Sequence, residues 1–149
     1  MPDLGPNHAA VAALIARAAM LQHDECNLLF EARAAWYESR ADGYGERDAL
    51  RSATRAATAA GRTAAYESAR REAASAFRRA RRGEVGPWLS VASTVSNAAG
   101  AVAVADLLER RDYQLLYGPW RQALGQADLV PVGPGTAQAA ESRRRILIG

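Results

Sequence analysis

The sequence contains a single cysteine and no lysine, and these shortages already narrow what the protein can be. With Cys26 alone, the chain cannot form an internal disulfide bond or a zinc site made of several cysteines. One free thiol suits a reducing compartment, so we expect a cytoplasmic protein. The first residues lack the basic and apolar segments of a secretory signal, so no signal peptide is expected. The uncharged stretch from Trp88 to Ala105 is rich in alanine and serine and too weakly apolar for a spanning segment, so we expect no membrane partner.

Motifs of known catalytic chemistry are also missing. There is no nucleophile elbow, and the Gly-Pro-Gly sequence at 133–135 follows no predicted strand, so it is not a phosphate loop. His23 and Cys26 lie one helical turn apart, but no third residue is evident to orient them. The paired Glu-x-x-His motifs of di-iron bundles do not occur. We therefore favour a non-enzymatic protein with no catalytic residues, no metal site and no cofactor.

What the sequence has in abundance is alanine, which fills 35 of the 149 positions, and arginine, which supplies all 19 basic residues. Alanine is the best helix former, and its short side chain lets helices approach closely. No segment shows the alternation expected of a strand. The composition predicts an all-α, bundle-like single domain over residues 1–126. The Pro/Gly-rich linker and C-terminal tail that follow, residues 127–149, are expected to be a short helix or disordered.

Hydrophobic periodicity predicts four helices, at about 8–41, 46–82, 87–110 and 112–125. The first two are expected to form a long antiparallel hairpin, because residues 46–82 carry ten arginines and four acidic residues whereas residues 8–42 carry three and five. The third helix has no charge from Trp88 to Ala105 and is expected to be buried at the centre. The fourth contains Pro119 and is expected to be kinked there.

The arginines near the end of the second predicted helix are the first candidate site. A guanidinium fork matches the geometry of a phosphate, so these side chains could clamp a nucleic acid or another anion. The residues concerned are Arg78, Arg79, Arg81 and Arg82. The alternative interpretation is a solvated helix end, where positive charge complements the helix dipole.

A second set of residues is expected to make packing or interface contacts. Aromatic residues recur at helical spacing along the fourth predicted helix, and a glycine lies among small residues on the third. The set comprises Trp36, Trp88, Gly100, Tyr113, Tyr117 and Trp120. The aromatic residues close to Asp106 could instead line a pocket for a small molecule.

The lengths of the predicted helices suggest a function. At 1.5 Å per residue, each of the two long helices would span about 50 Å, much more than the third helix covers. Part of the hairpin would stay uncovered unless another chain packed on it. We therefore expect a non-enzymatic helical interaction or structural protein that self-associates. Two alternatives stay open: nucleic-acid binding through the Arg-rich second helix, and a small-molecule binder or enzyme with its pocket between helices three and four.

The later part of the chain resembles a known sequence pattern. It reads Asp106-Leu107-Leu108 and then Asp112-Tyr113-x-x-Leu116-Tyr117-Gly118-Pro119-Trp120. Over about residues 85–125 this is similar to the tail of uncharacterised Ala/Arg-rich helical proteins of high-GC actinobacteria and their phages. The chain departs from that pattern at Ala105, where those proteins have arginine. The resemblance implies a helical fold and brings no activity with it.

Overall fold

The computed structural model describes residues 3–38, 43–126, 128 and 130–134. Over these residues the chain is all-helical, and its helices pack against one another as a bundle, which confirms the predicted fold class. The α-helices are α1 (His8–Ala19), α2 (His23–Tyr37), α3 (Glu46–Ala59), α4 (Thr63–Ala80), α5 (Trp88–Ala103) and α6 (Arg110–Leu124), with a 3-10 turn at Ala105–Leu107. Among the described residues, none of the helices has the length and apolarity needed to cross a membrane. Most of the predicted tail at 127–149 lies outside the described residues.

Each of the two long helices expected from the sequence is in fact a pair of helices. The first is broken at residues 20–22, where the Glu25 carboxylate accepts a hydrogen bond of 2.8 Å from the backbone amide of Gln22. That bond caps the start of α2. The second is broken at Gly61, whose φ of +70° turns the chain into the left-handed conformation that ends α3. The resulting helices have 12 to 18 residues, so the predicted 50 Å rods do not form.

The predicted antiparallel hairpin is also wrong. Helices α1 and α4 lie side by side and run in the same direction. A Cβ on Gly5, just before α1, would lie 3.1 Å from the Cβ of Ala65 in the first turn of α4. At the other end, the Arg81 guanidinium donates a 2.6 Å hydrogen bond to the carbonyl of Leu21. Because turns separate the short helices, α2 is able to pack mainly on α6 and α5, away from α1.

Helix α5 is buried at the centre of the bundle, as its lack of charge predicted. It contacts all five of the other described α-helices, and 12 of its 16 residues are buried. It ends at Ala103, earlier than the predicted residue 110. There the Asn7 side chain donates a 2.9 Å hydrogen bond to the carbonyl of Val102, one of the acceptors that a helix end leaves without a partner.

Helix α6 runs from Arg110 through Pro119 to Leu124 as a single helix. Proline has no amide hydrogen, so the carbonyl of Leu115 loses its normal helical donor. The hydroxyl of Tyr37 replaces that donor with a hydrogen bond of 2.8 Å. Burial raises the pKa of Tyr37 to about 12, so the hydroxyl keeps its proton throughout the neutral range.

Replacing Tyr37 with phenylalanine is expected to lower the free energy of unfolding by about 1–3 kcal/mol, because the Leu115 carbonyl would stay buried without a donor. In a Pro119→Ala background the alanine amide can serve that carbonyl, so Tyr37→Phe should cost less. Chemical denaturation of the four proteins measures the coupling between the two sites. Equal losses in both backgrounds would contradict this role of the hydroxyl.

Candidate interaction surface

A group of apolar side chains is exposed where α5 begins. Val85 and Leu89 are 95% and 78% exposed, and Phe30 of α2 is 42% exposed. Trp88 is half-buried beside them. We call these four residues, Phe30, Val85, Trp88 and Leu89, the Leu89 surface. Single exposed apolar side chains are common on proteins, but several large ones on neighbouring segments often mark a site of interaction.

The surface takes its shape from how the chain connects α4 to α5. Gly83, with a φ of +84°, turns the chain after α4 and lets residues 84–87 project into solvent. The Trp88 indole then folds back: its nitrogen donates to the carbonyl of Glu84 at 3.2 Å, and its ring meets that of His23 edge-on at 5.4 Å. The start of α5 is thereby held between α2 and the end of α4.

Two shallow cavities flank the Leu89 surface. One, of about 260 Å³, lies between α2 and α5 and is lined in part by Phe30 and Ser90. The other, of about 210 Å³, is lined by Arg78, Arg81, Trp88 and Leu89. Leu89 therefore lies near the end of α4. Phe30 lies near Ser90, on the side of the α5 start that faces α2.

Charged residues of opposite sign lie on the two helices beside the Leu89 surface, with Glu38 next to Phe30 and Arg78 next to Leu89. On α2, the exposed residues Asp24, Glu31 and Glu38 are spaced seven apart, which places them in one row along the outer face of the helix. At the end of α4, Arg78, Arg79 and Arg82 are exposed. Among the described residues, none of these six side chains takes part in an ion pair. We call them the acidic row and the basic end.

Arg81, the fourth arginine of the predicted phosphate clamp, has a different position. Its side chain is only 14% exposed, and its Nε lies 3.4 Å from the Glu84 carboxylate. Its guanidinium also donates to the Leu21 carbonyl, as described above. Arg81 therefore joins the ends of α1 and α4, and only its three neighbours are available to an external partner.

Most of the predicted packing residues make contacts inside the bundle. Trp36 is half-buried against Gly118, where a Cβ would meet its ring at 2.6 Å. Tyr113 and Tyr117 stack with 5.1 Å between ring centroids. Tyr113, Tyr117 and Trp120 are buried in the core, and Gly100 is buried at the seam between α4 and α5. Of the predicted set, Trp88 is the one that lies on the Leu89 surface.

The residues of the predicted small-molecule pocket are occupied by contacts within the chain. Asp106 accepts two hydrogen bonds from the Arg62 guanidinium, at 2.8 and 2.7 Å, and a third of 3.1 Å from Asn7. The bonds from Arg62 hold the pKa of Asp106 below its usual value. Trp120 is fully buried. Neither Asp106 nor Trp120 lines the two cavities beside the Leu89 surface.

His23 and Cys26 do not converge on a common site either. Cys26 is buried, and burial raises the pKa of its thiol, whereas His23 is exposed beside Trp88. In the described parts of the chain, no three side chains among His, Cys, Asp and Glu are grouped so that they could hold a metal ion.

Sequence reasoning missed a polar cluster that joins four helices. The Glu46 carboxylate, at the start of α3, accepts hydrogen bonds from Arg33 of α2 at 2.9 Å and from Asn97 of α5 at 2.6 Å. Arg70 of α4 donates to the oxygen of Asn97 at 3.1 Å. Asn97 is the one side-chain amide in a helix without charged residues, and it was the available sequence signal of this cluster. The cluster anchors α3 to the centre of the bundle.

Comparisons with known proteins add no relative to this description. No protein-family model, no curated protein and no solved structure matches the chain. The resemblance to actinobacterial and phage proteins stays a prediction. The described residues form a helical bundle with an exposed apolar group at the start of α5 and charged residues on the helices beside it. Function has to be argued from that arrangement.

Proposed function

We propose that the chain is a non-enzymatic helical interaction protein that forms a homodimer through the Leu89 surface. The observation that carries this proposal is the exposed apolar group at the start of α5, with exposed acidic residues on α2 and exposed arginines at the end of α4 beside it. The apolar group supplies the favourable free energy, at about 1.5–3 kcal/mol for each large apolar side chain that becomes fully buried. The flanking charges supply orientation.

A two-fold axis makes such a surface complementary to itself. In a symmetric dimer the same patch of both copies meets, so an axis through Leu89 places the basic end of one copy against the acidic row of the other. The same axis keeps the basic ends of the two copies apart from each other, and likewise the two acidic rows. Complementary charges at the rim of an interface mainly accelerate association and fix its register. A partner of a different sequence is not needed to explain the arrangement.

Replacing Leu89 with asparagine is expected to weaken self-association at least about tenfold, because two buried leucines are lost from each dimer. Sedimentation velocity over a range of concentrations measures the effect. The matched control is Leu28→Asn, since Leu28 is an exposed leucine on the opposite flank of α2 from Phe30. The same weakening in both variants, or in neither, would contradict the proposed surface.

Charge reversal tests the two-fold arrangement independently of the leucine. Arg78→Glu/Arg79→Glu makes both edges of the surface acidic, and Asp24→Arg/Glu31→Arg makes both edges basic. Each variant alone is expected to be monomeric, and an equimolar mixture is expected to form a heterodimer. A mixture that stays monomeric while the unmodified chain dimerises would show that these edges do not meet.

A further inference from the structure

A second charged feature lies on α3, away from the residues of the Leu89 surface. Arg47, Arg51 and Arg55 are spaced four residues apart, and all three are exposed. Successive members of this row are separated by about 6 Å along the helix axis. None of them forms an ion pair with a described residue. The row therefore presents three exposed arginines along one helix edge, none of them in an ion pair with a described residue.

The acidic residues of α3 form no ion pair with this row among the described residues. Glu46 is directed into the bundle, where Arg33 and Asn97 donate to its carboxylate. Asp48 accepts a hydrogen bond of 3.0 Å from the backbone amide of Gly45 and so caps the start of the helix. Both carboxylates are committed to positioning α3, which leaves the arginines of its outer face available.

A fourth arginine is held near α3 by an aromatic ring. The guanidinium carbon of Arg111 lies 3.6 Å from the centroid of the Tyr44 ring, a cation–π contact. The Tyr44 hydroxyl is hydrogen-bonded to Ser52 of α3 at 3.2 Å and to the carboxylate of Asp112. These contacts hold Arg111 next to the second turn of α3. We call Arg47, Arg51, Arg55 and Arg111 the arginine row.

We propose that the arginine row binds the phosphate backbone of double-stranded nucleic acid without reading its bases. Arginine matches phosphate in both charge and hydrogen-bond geometry. The side chains between the arginines on the outer face of α3 are small, with Thr54 and Thr58 among them, so a bulky backbone can approach closely. This inference is independent of the proposed homodimer, because it rests on a different helix face.

The composition of the same face argues against a lipid surface and against a protein as the partner. A helix that binds a lipid surface needs large apolar side chains to insert, and a protein interface needs an apolar or aromatic anchor. The alanines of α3 at positions 49, 53 and 57 are buried in the bundle. The large exposed apolar residues of the described chain, Met20, Leu28, Phe30, Val85 and Leu89, all lie outside α3. A phosphate backbone requires only the cations.

The test is the salt dependence of binding to a fluorescently labelled 20-base-pair duplex, followed by anisotropy. Four phosphate contacts predict that the affinity falls about a hundredfold between 50 and 200 mM salt, because each contact adds about 0.9 to the logarithmic slope. The variant Arg47→Ala/Arg51→Ala/Arg55→Ala is expected to bind at least about tenfold more weakly and to retain a slope of about one. Circular dichroism verifies that the variant is folded.

The matched control is Arg78→Ala/Arg79→Ala/Arg82→Ala, which removes the same three charges from another exposed place. Both triple variants are prepared in a Leu89→Asn background, so that self-association does not alter the comparison. The control is expected to retain the slope of its parent. Equal losses in both triple variants would assign binding to net charge and overturn the proposal. Absence of duplex binding, or equally row-dependent binding to vesicles rich in anionic lipid, would overturn it as well.

Discussion

Replacing Trp120 with alanine is expected to lower the free energy of unfolding by about 3–5 kcal/mol. Trp120 is the largest of the fully buried side chains among the described residues. It lies on α6, which packs on α2, α3 and α5. Its indole nitrogen donates to Gln126 at 3.2 Å, so the ring is held by a polar contact as well as by packing. Truncation would leave a cavity in the core, and the surrounding side chains can only partly collapse into it.

Denaturant titration of Trp120→Ala against the parent protein measures this loss. Trp36→Ala is the matched control, since Trp36 also packs on α6 but is half-exposed and hydrogen-bonded at its edge to Gln122. Trp36→Ala is expected to lower the free energy of unfolding clearly less than Trp120→Ala does. Because the free energy of unfolding of a domain is commonly only about 5–15 kcal/mol, Trp120→Ala should remove a large part of it. Equal costs for the two tryptophans would contradict the placement of Trp120 in the core.

Replacing Gly100 with valine is expected to destabilise the protein by about 3 kcal/mol, because the seam between α4 and α5 has no room for a larger side chain. A Cβ at this position would lie 2.8 Å from both the ring of Tyr66 and the Cγ of Arg70. Replacing glycine with valine gains less than about 1 kcal/mol in helix propensity, which cannot offset the clash. Tyr66 is buried and cannot move into solvent.

Gly118→Val provides the comparison for Gly100→Val. A Cβ at Gly118 would meet the ring of Trp36 at 2.6 to 2.8 Å, a closer approach than at Gly100. Trp36 is half-exposed, however, and can rotate towards solvent. Thermal unfolding is therefore expected to show a larger loss for Gly100→Val than for Gly118→Val. The reverse order would mean that α4 and α5 are not held together as closely as described.

The sequence was sufficient to predict the helical class and the central position of α5. Alanine content and the absence of strand patterns indicated helices, and the uncharged residues from Trp88 to Ala105 indicated burial. The breaks at residues 20–22 and at Gly61 were missed because the alanine stripes continue on both sides of them. Glu25, three residues after Gln22, and Gly61 itself were local signals of those breaks. Which helices become neighbours was not encoded in any local pattern.

The candidate surfaces were only partly predictable for the same physical reason. Charge counting located the arginines, but whether an arginine is free depends on contacts between distant segments. Arg62 is neutralised by Asp106 and Arg81 is held by the Leu21 carbonyl, whereas Arg78 and Arg47 are unpaired among the described residues. The exposure of Leu89 was also hidden, because the sequence does not show which side of the first turn of α5 the neighbouring helices leave uncovered.

The most direct test of the proposed homodimer is the molar mass of the unmodified chain in solution, measured by sedimentation equilibrium at micromolar concentrations. One chain has a mass of 15.9 kDa. We predict a mass that rises with concentration towards twice that value, and a shift back towards a single chain for Leu89→Asn at the same concentrations. A mass of one chain throughout that range, unchanged by the substitution, would contradict the proposal that the Leu89 surface joins two copies of this protein.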